Sequence, residues 1–317
     1  MKRALLVGVD NYDIFSNLGG CVNDVDALHP LFRCHENGDL NFEVQLLVSS
    51  RTRVTRDVLL AGVHRLFAPG ADVAVLYFAG HGAQQDGDVS LVVADGTRVS
   101  PGVLFSEILG HVKRSDVREA IVVLDCCFSG GAGSLTLLGA ETSLLPNGLA
   151  VLSANRNDQE SAETPQGRGL FSSHLEGALD GGAADVLGKV TVSGMYAYVS
   201  EAFGAWEQRP SFKANIDRAH ELRRCKSTVP LEELRQLPEI FPDPMDEVRL
   251  DPSFEPMEDP PNATNEALFR ILQRCRAAKL VEPVDEEHMY FAALSRKSCR
   301  LTPLGRHYWR MAQEGRI

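Results

Sequence analysis

Two short apolar runs constrain this chain more than any other feature, because residues that can do chemistry stand at their ends, 46 positions apart. Val75-Leu76-Tyr77-Phe78-Ala79-Gly80-His81-Gly82 stops at a histidine between two glycines. Ile121-Val122-Val123-Leu124-Asp125-Cys126-Cys127-Phe128-Ser129-Gly130 stops at an acid and two cysteines. Each run is rich in β-branched residues and too short for a helix, which predicts a strand buried on both faces of a parallel sheet. Neighbouring parallel strands deliver the residues at their carboxyl ends to one edge of the sheet, where open α/β folds bind ligands. A histidine and a cysteine at that edge have the makings of a base and its nucleophile.

The rest of the first two thirds supports such a sheet. Strands are predicted at Ala4–Val9, Glu43–Val48, Val73–Ala79, Ala120–Asp125 and Leu149–Ala154, with a last one at Ser211–Ile216. Helical spacing of apolar residues lies between them, at Asn23–His35, Thr55–Phe67 and Pro101–Val112, the last with Pro101 in its first turn. Further helices are predicted at Leu170–Leu179 and Val192–Trp206, and Ser90–Ala94 reads as a small hairpin arm. Alternating strand and helix implies a mainly parallel α/β sheet flanked by helices on both faces.

Composition changes beyond residue 216. From Lys226 to Pro260 there are seven prolines and ten acids against three bases, so 217–260 reads as an extended acidic linker. From Pro261 to Ile317 the balance reverses to ten bases against six acids, and periodicity returns. A helix at Glu266–Ala278, a hairpin of Leu280–Val284 with Tyr290–Leu294, and a final helix after Leu301-Thr302-Pro303-Leu304-Gly305 resemble part of a winged-helix domain.

The net charge of −11 argues against nucleic acid or an anionic membrane as a partner of the whole chain. No run approaches the ~20 apolar residues of a membrane span, and the apolar stretch after Met1 is too short for a signal peptide. Seven scattered cysteines, none in a CxxC pair, fit reduced thiols in a cytoplasmic protein better than zinc ligands or disulfides. No metal site is expected.

A cysteine attacks as a thiolate, and a free thiol near ~8.5 needs a base in reach. His81 can take that proton and later return it to the leaving amine. Glycines beside His81 leave room for close backbone approach, and the N–H groups of Gly82 and Cys127 are natural oxyanion donors. Tyr77-Phe78-Ala79-Gly80-His81-Gly82 and Asp125-Cys126-Cys127-Phe128-Ser129-Gly130 together resemble the histidine and nucleophile motifs of the caspase–metacaspase clan of cysteine peptidases, peptidase family C14. The resemblance covers roughly residues 1–216. It implies a caspase-like six-stranded fold, Cys127 as nucleophile and His81 as base. Cys126 then fills a variable position, either as a small buried thiol or as a redox partner of Cys127.

The cysteine context follows the Asp-x-Cys-x-Ser-Gly form of metacaspases, and Gly20-Cys21-Val22-Asn23-Asp24 matches their early motif. That likeness implies a first specificity pocket read by Asp24 and Asp125, with Cys21 on its wall, for a substrate protein or peptide with a basic P1 residue. Two carboxylates suit a guanidinium or ammonium. The plainer readings are an acid in the first turn of a helix for Asp24 and a strand terminus for Asp125. Ser153 and Asp158 resemble contacts bordering the substrate groove. Arg168, between two glycines, is a conceivable self-cleavage point. No cofactor is required by these residues. Calcium, which many metacaspases bind, stays open, with Asp86, Asp88 and Asp95 unaligned. The leading expectation is a cysteine endopeptidase cleaving after Arg or Lys, its C-terminal domain recruiting a regulatory protein partner. The alternative is a non-catalytic caspase-fold regulator whose C-terminal domain binds DNA or a partner.

Overall fold

Along the two apolar runs, side chains alternate between two separate cores. In the computed structural model Leu76, Phe78, Val122 and Leu124 pack into one cluster, whereas Val75, Tyr77, Ile121 and Val123 pack into another. Such alternation is what a strand buried on both faces requires. The structure describes residues 1–85, 87–129, 145–154, 167–203, 210–256 and 261–317, with side chains of 127–129 excluded.

The sheet is built from β1 (Lys2–Gly8), β2 (Glu43–Val48), β3 (Val73–Gln85), β6 (Glu119–Ser129), β7 (Leu149–Ser153) and β9 (Ser211–Asn215). Their order is β2-β1-β3-β6-β7-β9, parallel throughout except for the antiparallel edge strand β9. A short antiparallel arm, β4 (Asp88–Val92) and β5 (Gly102–Leu104), grows from the far end of β3. Apart from this sheet, β8 (Lys189–Val190) and β10 (Arg223–Arg224) form a small antiparallel pair. On one face of the main sheet lie α2 (Arg56–Leu66) and α3 (Phe105–Arg114); on the other lie α1 (Cys21–Arg33), α4 (Leu170–Gly177) and α5 (Val192–Ala202). The expected six-stranded, mainly parallel α/β fold is present.

Three local expectations are corrected. Strands β3 and β6 do not stop at Ala79 and Asp125 but run on to Gln85 and Ser129, because β3 stays paired with β6 through Ala83 and then with β4. Pro101 is not in a helical turn: Gly102–Leu104 pair with β4, and α3 starts at Phe105, where the Glu107 carboxylate accepts from the Leu104 N–H at 3.0 Å. The helix expected over Val192–Trp206 ends at Ala202, and 204–209 fall outside the described residues.

The chain forms two compact units: Met1–Ala184 with Lys189–Cys225, and Asp185–Gly188 with Lys226–Ile317. Most of the expected linker therefore belongs to a folded unit. Residues 226–256 hold α6 (Leu231–Leu234), α7 (Leu237–Ile240) and β11 (Glu247–Arg249), and they bury Val229, Leu234, Leu237, Phe241, Leu250 and Phe254. The prolines mark turns and helix starts between these apolar anchors, and most of the acids are exposed or half-buried, so composition alone concealed a core. In the same unit α8 (Ala263–Ala277), β12 (Val281–Val284), α9 (Met289–Leu294), β13 (Ser298–Leu301) and α10 (Pro303–Gln313) complete the chain.

The expected hairpin partner of β12, Tyr290–Leu294, is helical instead. It buries Met289, Ala292 and Ala293 at helical spacing, and β12 pairs with β13 in a sheet ordered β11-β13-β12. The Thr302-Pro303-Leu304-Gly305 run has a local cause. Thr302 caps α10 by accepting from the Gly305 N–H at 3.0 Å, with Pro303 in the first turn.

Trp309 donates from Nε1 to the Phe241 carbonyl at 2.8 Å, so its fluorescence reports on this core. Leu237→Ala is expected to cost about 2–4 kcal/mol in urea unfolding followed at Trp309. A cost below about 0.5 kcal/mol would mean that 226–256 is not part of the core.

Candidate active site

The pairing of β3 with β6 sets the site. Its parallel register places Ala79 opposite Asp125, Gly80 opposite Cys126 and His81 opposite Cys127, on adjacent strands about 4.8 Å apart. Both expected catalytic residues thus occupy one rung of the ladder. Gly82, the expected oxyanion donor on this strand, lies inside β3, opposite Phe128 on one side and Leu91 on the other.

His81 is oriented from the loop after β1. Its Nε2 lies 2.8 Å from the Ser16 carbonyl, with Ser16 Oγ at 3.3 Å. A carbonyl only accepts, so the neutral ring carries its proton on Nε2 and leaves Nδ1 as the basic nitrogen. The Tyr12 ring packs on the imidazole with centroids 4.9 Å apart. Its hydroxyl accepts from the His81 N–H at 2.9 Å and donates to the Val9 carbonyl at 2.8 Å. Gly80 has a reason other than substrate approach: a Cβ there would stand 2.8 Å from the Tyr12 hydroxyl oxygen.

Below this rung the structure brings Cys21, Asp24 and Asp125 together. Gly20, the N-cap residue of α1, makes no side-chain cap; Asp10 caps the helix instead, accepting from the N–H groups of Cys21 and Val22 at 3.0 and 3.2 Å. The first turn then aims Asp24 inward, 3% exposed, toward Asp125, 8% exposed. Asp24 does not spend its oxygens on its own helix. They accept from the Gly169 N–H at 3.3 and 3.2 Å, and Arg168 Nε donates to Oδ1 at 3.1 Å.

Burial and repulsion from Asp125 raise the Asp24 carboxyl to about 7, outweighing Arg168 and the Gly169 hydrogen bond, which pull it down. Asp125 is held by Ser172, whose hydroxyl donates to Oδ2 and in turn receives the Tyr77 hydroxyl at 2.6 Å. Burial and the nearby carboxylates of Asp10, Asp125 and Asp24 push the Cys21 thiol up, which disfavours the thiolate a nucleophile needs.

Other expected residues fall elsewhere. Ser153 is fully buried on β7, and its hydroxyl has no partner among the described residues; it offers no open groove surface. Asp158 and Asp86 lie outside the described residues, as does the side chain of Cys127. Cys126 is 2% exposed within the α2–α3 core, as a small buried thiol would be. Asp88 and Asp95 are separately engaged, Asp88 accepting from the Val89 and Ser106 N–H groups and Asp95 from the Arg56 N–H. Among the described residues no three His, Cys, Asp or Glu side chains gather as metal ligands, and no helix is long and apolar enough to cross a membrane. Arg168 is not free in a loose loop: it also pairs with Glu176, and its side chain is 16% exposed.

Sequence reasoning missed Tyr12, Ser16, Tyr77, Ser172 and Glu176. Asp10-Asn11-Tyr12, one residue beyond β1, carried the one available signal, a polar cluster where the sheet edge binds ligands.

A family model described as the caspase domain matches residues 1–221. The chain belongs to the caspase-domain family. Over 132 residues this caspase-domain protein is 27% identical to a paracaspase of Dictyostelium discoideum, a match covering 41% of the chain and 31% of that relative's length. The fold is similar to that of protein GSU0716 from Geobacter sulfurreducens, with a TM-score of 0.53 at 14% identity, covering 71% of this chain and 99% of that one. It is likewise similar to caspase-1 from Spodoptera frugiperda, with a TM-score of 0.50 at 14% identity, covering 71% and 91%.

Two outcomes are expected of this caspase domain. Tyr12→Phe leaves the half-buried His81 N–H without its acceptor, a loss of about 1 kcal/mol in denaturant unfolding; an unchanged midpoint would contradict that contact. Because the folded Asp24 binds its proton more tightly than an unfolded aspartate near 3.8, its contribution is favourable in acid and is lost as pH rises toward about 7. Asp24→Asn should therefore gain stability relative to the parent across that window, by at most ~1.4 kcal/mol per pH unit. A pH-independent difference would contradict the raised carboxyl.

Proposed function

We propose that the chain is a cysteine endopeptidase with His81 as base and Cys127 as nucleophile, hydrolysing protein substrates after Arg or Lys. The observation that carries this reading is the shared rung of His81 and Cys127, with the imidazole oriented by the Ser16 carbonyl. Nδ1 takes the thiol proton, the thiolate adds to the scissile carbonyl, and the oxyanion is received by N–H groups, with Gly82 and Cys127 the candidates. The imidazolium then protonates the leaving amine as the tetrahedral intermediate collapses to a thioester. Water, deprotonated by the same nitrogen, hydrolyses the thioester and restores the thiol.

The basic preference rests on Asp24 and Asp125, two buried carboxylates in one pocket wall with Cys21. A guanidinium or ammonium relieves their repulsion and is held by charge-assisted hydrogen bonds, whereas an acidic side chain would add a third negative charge. Asp158 remains a proposed groove contact, whereas Ser153, fully buried, is withdrawn from that role.

The second unit, winged-helix-like in its α8, its β11-β13-β12 sheet and its closing α10, would recruit a protein that regulates the peptidase. A protein partner fits better than DNA. The acid-rich stretch 226–260, with ten acids against three bases, outweighs the tail's ten bases against six acids, and most of it folds into the same unit.

Fluorogenic peptides ending in Arg, Lys or Asp, offered with and without calcium, test the reading. Cleavage after Arg or Lys, reduced at least about 10³-fold in Cys127→Ala, is expected. Preference for Asp would overturn the pocket assignment, and undiminished cleavage by the variant would overturn the nucleophile.

A further inference from the structure

The acidic pocket already holds a cation. Arg168 Nε donates to Asp24 at 3.1 Å, and one terminal nitrogen pairs with Glu176 on α4. The other terminal nitrogen, Nη2, is buried and has no partner among the described residues. A guanidinium built permanently into a pocket wall would spend its fork on a carboxylate, two parallel hydrogen bonds at once. Here Asp24 is engaged edge-on through one nitrogen, and a buried donor is left over. The residue belongs to no helix or strand; it lies in the coil Gly167-Arg168-Gly169 just before α4. Neutralising Asp24 beside Asp125 is a task any cation of the right shape can perform.

We propose that Arg168 is the internal occupant of the specificity pocket, a tethered stand-in for the basic side chain of a substrate, which must leave Asp24 before such a side chain can bind. This rests on the reading that Asp24 and Asp125 receive a basic residue. The form at rest is then closed to its own substrates by competition, not by an absent nucleophile. A ligand that binds only the open form has its apparent affinity reduced by the fraction of molecules that are open. Releasing Arg168, through its Glu176 anchor or by a partner drawing the coil away, raises that fraction.

Benzamidine, an aromatic amidinium with no peptide to cleave, is the probe, titrated calorimetrically into the full chain. Arg168→Ala is expected to bind it at least about tenfold more tightly than the parent, and Glu176→Gln, which keeps both pocket acids and loosens the anchor, severalfold. Arg168→Lys, which restores a tethered cation, should return toward the parent value. Should Arg168→Ala fail to fold by circular dichroism, Glu176→Gln decides. The proposal is overturned if the deciding variant binds no more tightly than the parent while Asp24→Asn abolishes binding, a result that leaves the basic pocket standing. Absence of benzamidine binding in the parent and in every variant overturns the basic pocket, and the internal occupant with it.

Discussion

The register between β3 and β6 is the constraint on which the site depends. A parallel ladder shifted by one residue would turn each side chain to the opposite core. It would move His81 off the rung of Cys127 and Ala79 off that of Asp125. The shift is resisted by burial: Leu76, Phe78, Val122 and Leu124 fill one core while Val75, Tyr77, Ile121 and Val123 fill the other. The packing of both strand faces that builds the fold therefore also holds His81 and Cys127 on one rung.

The carboxylates under this rung work against stability. Asp24 and Asp125 are buried, and the neighbouring Asp125 together with burial disfavours ionisation of Asp24. The surroundings are arranged to hold them: the Tyr77–Ser172–Asp125 chain of hydroxyls on one side, Arg168 and the Gly169 N–H on the other. Burying two like charges side by side has no packing rationale, since apolar residues of similar volume would serve at least as well. Strain of this sort concentrates where a ligand is to be bound.

Much of this was legible in the sequence because it is carried by period and by local chemistry. Continuous β-branched apolar runs announced the strands, and the glycine-flanked histidine and the acid before two cysteines put their chemistry at one sheet edge, while the register that sets them on one rung comes only from the fold. The hidden part depends on residues distant in sequence. Tyr12 reaches His81 across 69 positions, and Arg168 meets Asp24 across 144. Neither has a local pattern that announces its partner. The stretch from Lys226 misled for the opposite reason. Its acids and prolines are a real compositional signal, yet Leu234, Leu237 and Phe241 at its centre bury completely, and three apolar anchors outweigh a polar average.

The central claim is that one cysteine of seven is a nucleophile and that His81 makes it so. An arginyl acyloxymethyl ketone, which alkylates a thiolate it is bound beside, followed by intact-mass measurement and peptide mapping, tests this most directly. The expected result is a single adduct on Cys127 that disappears in His81→Ala. Labelling spread over several cysteines, or undiminished in His81→Ala, would contradict it.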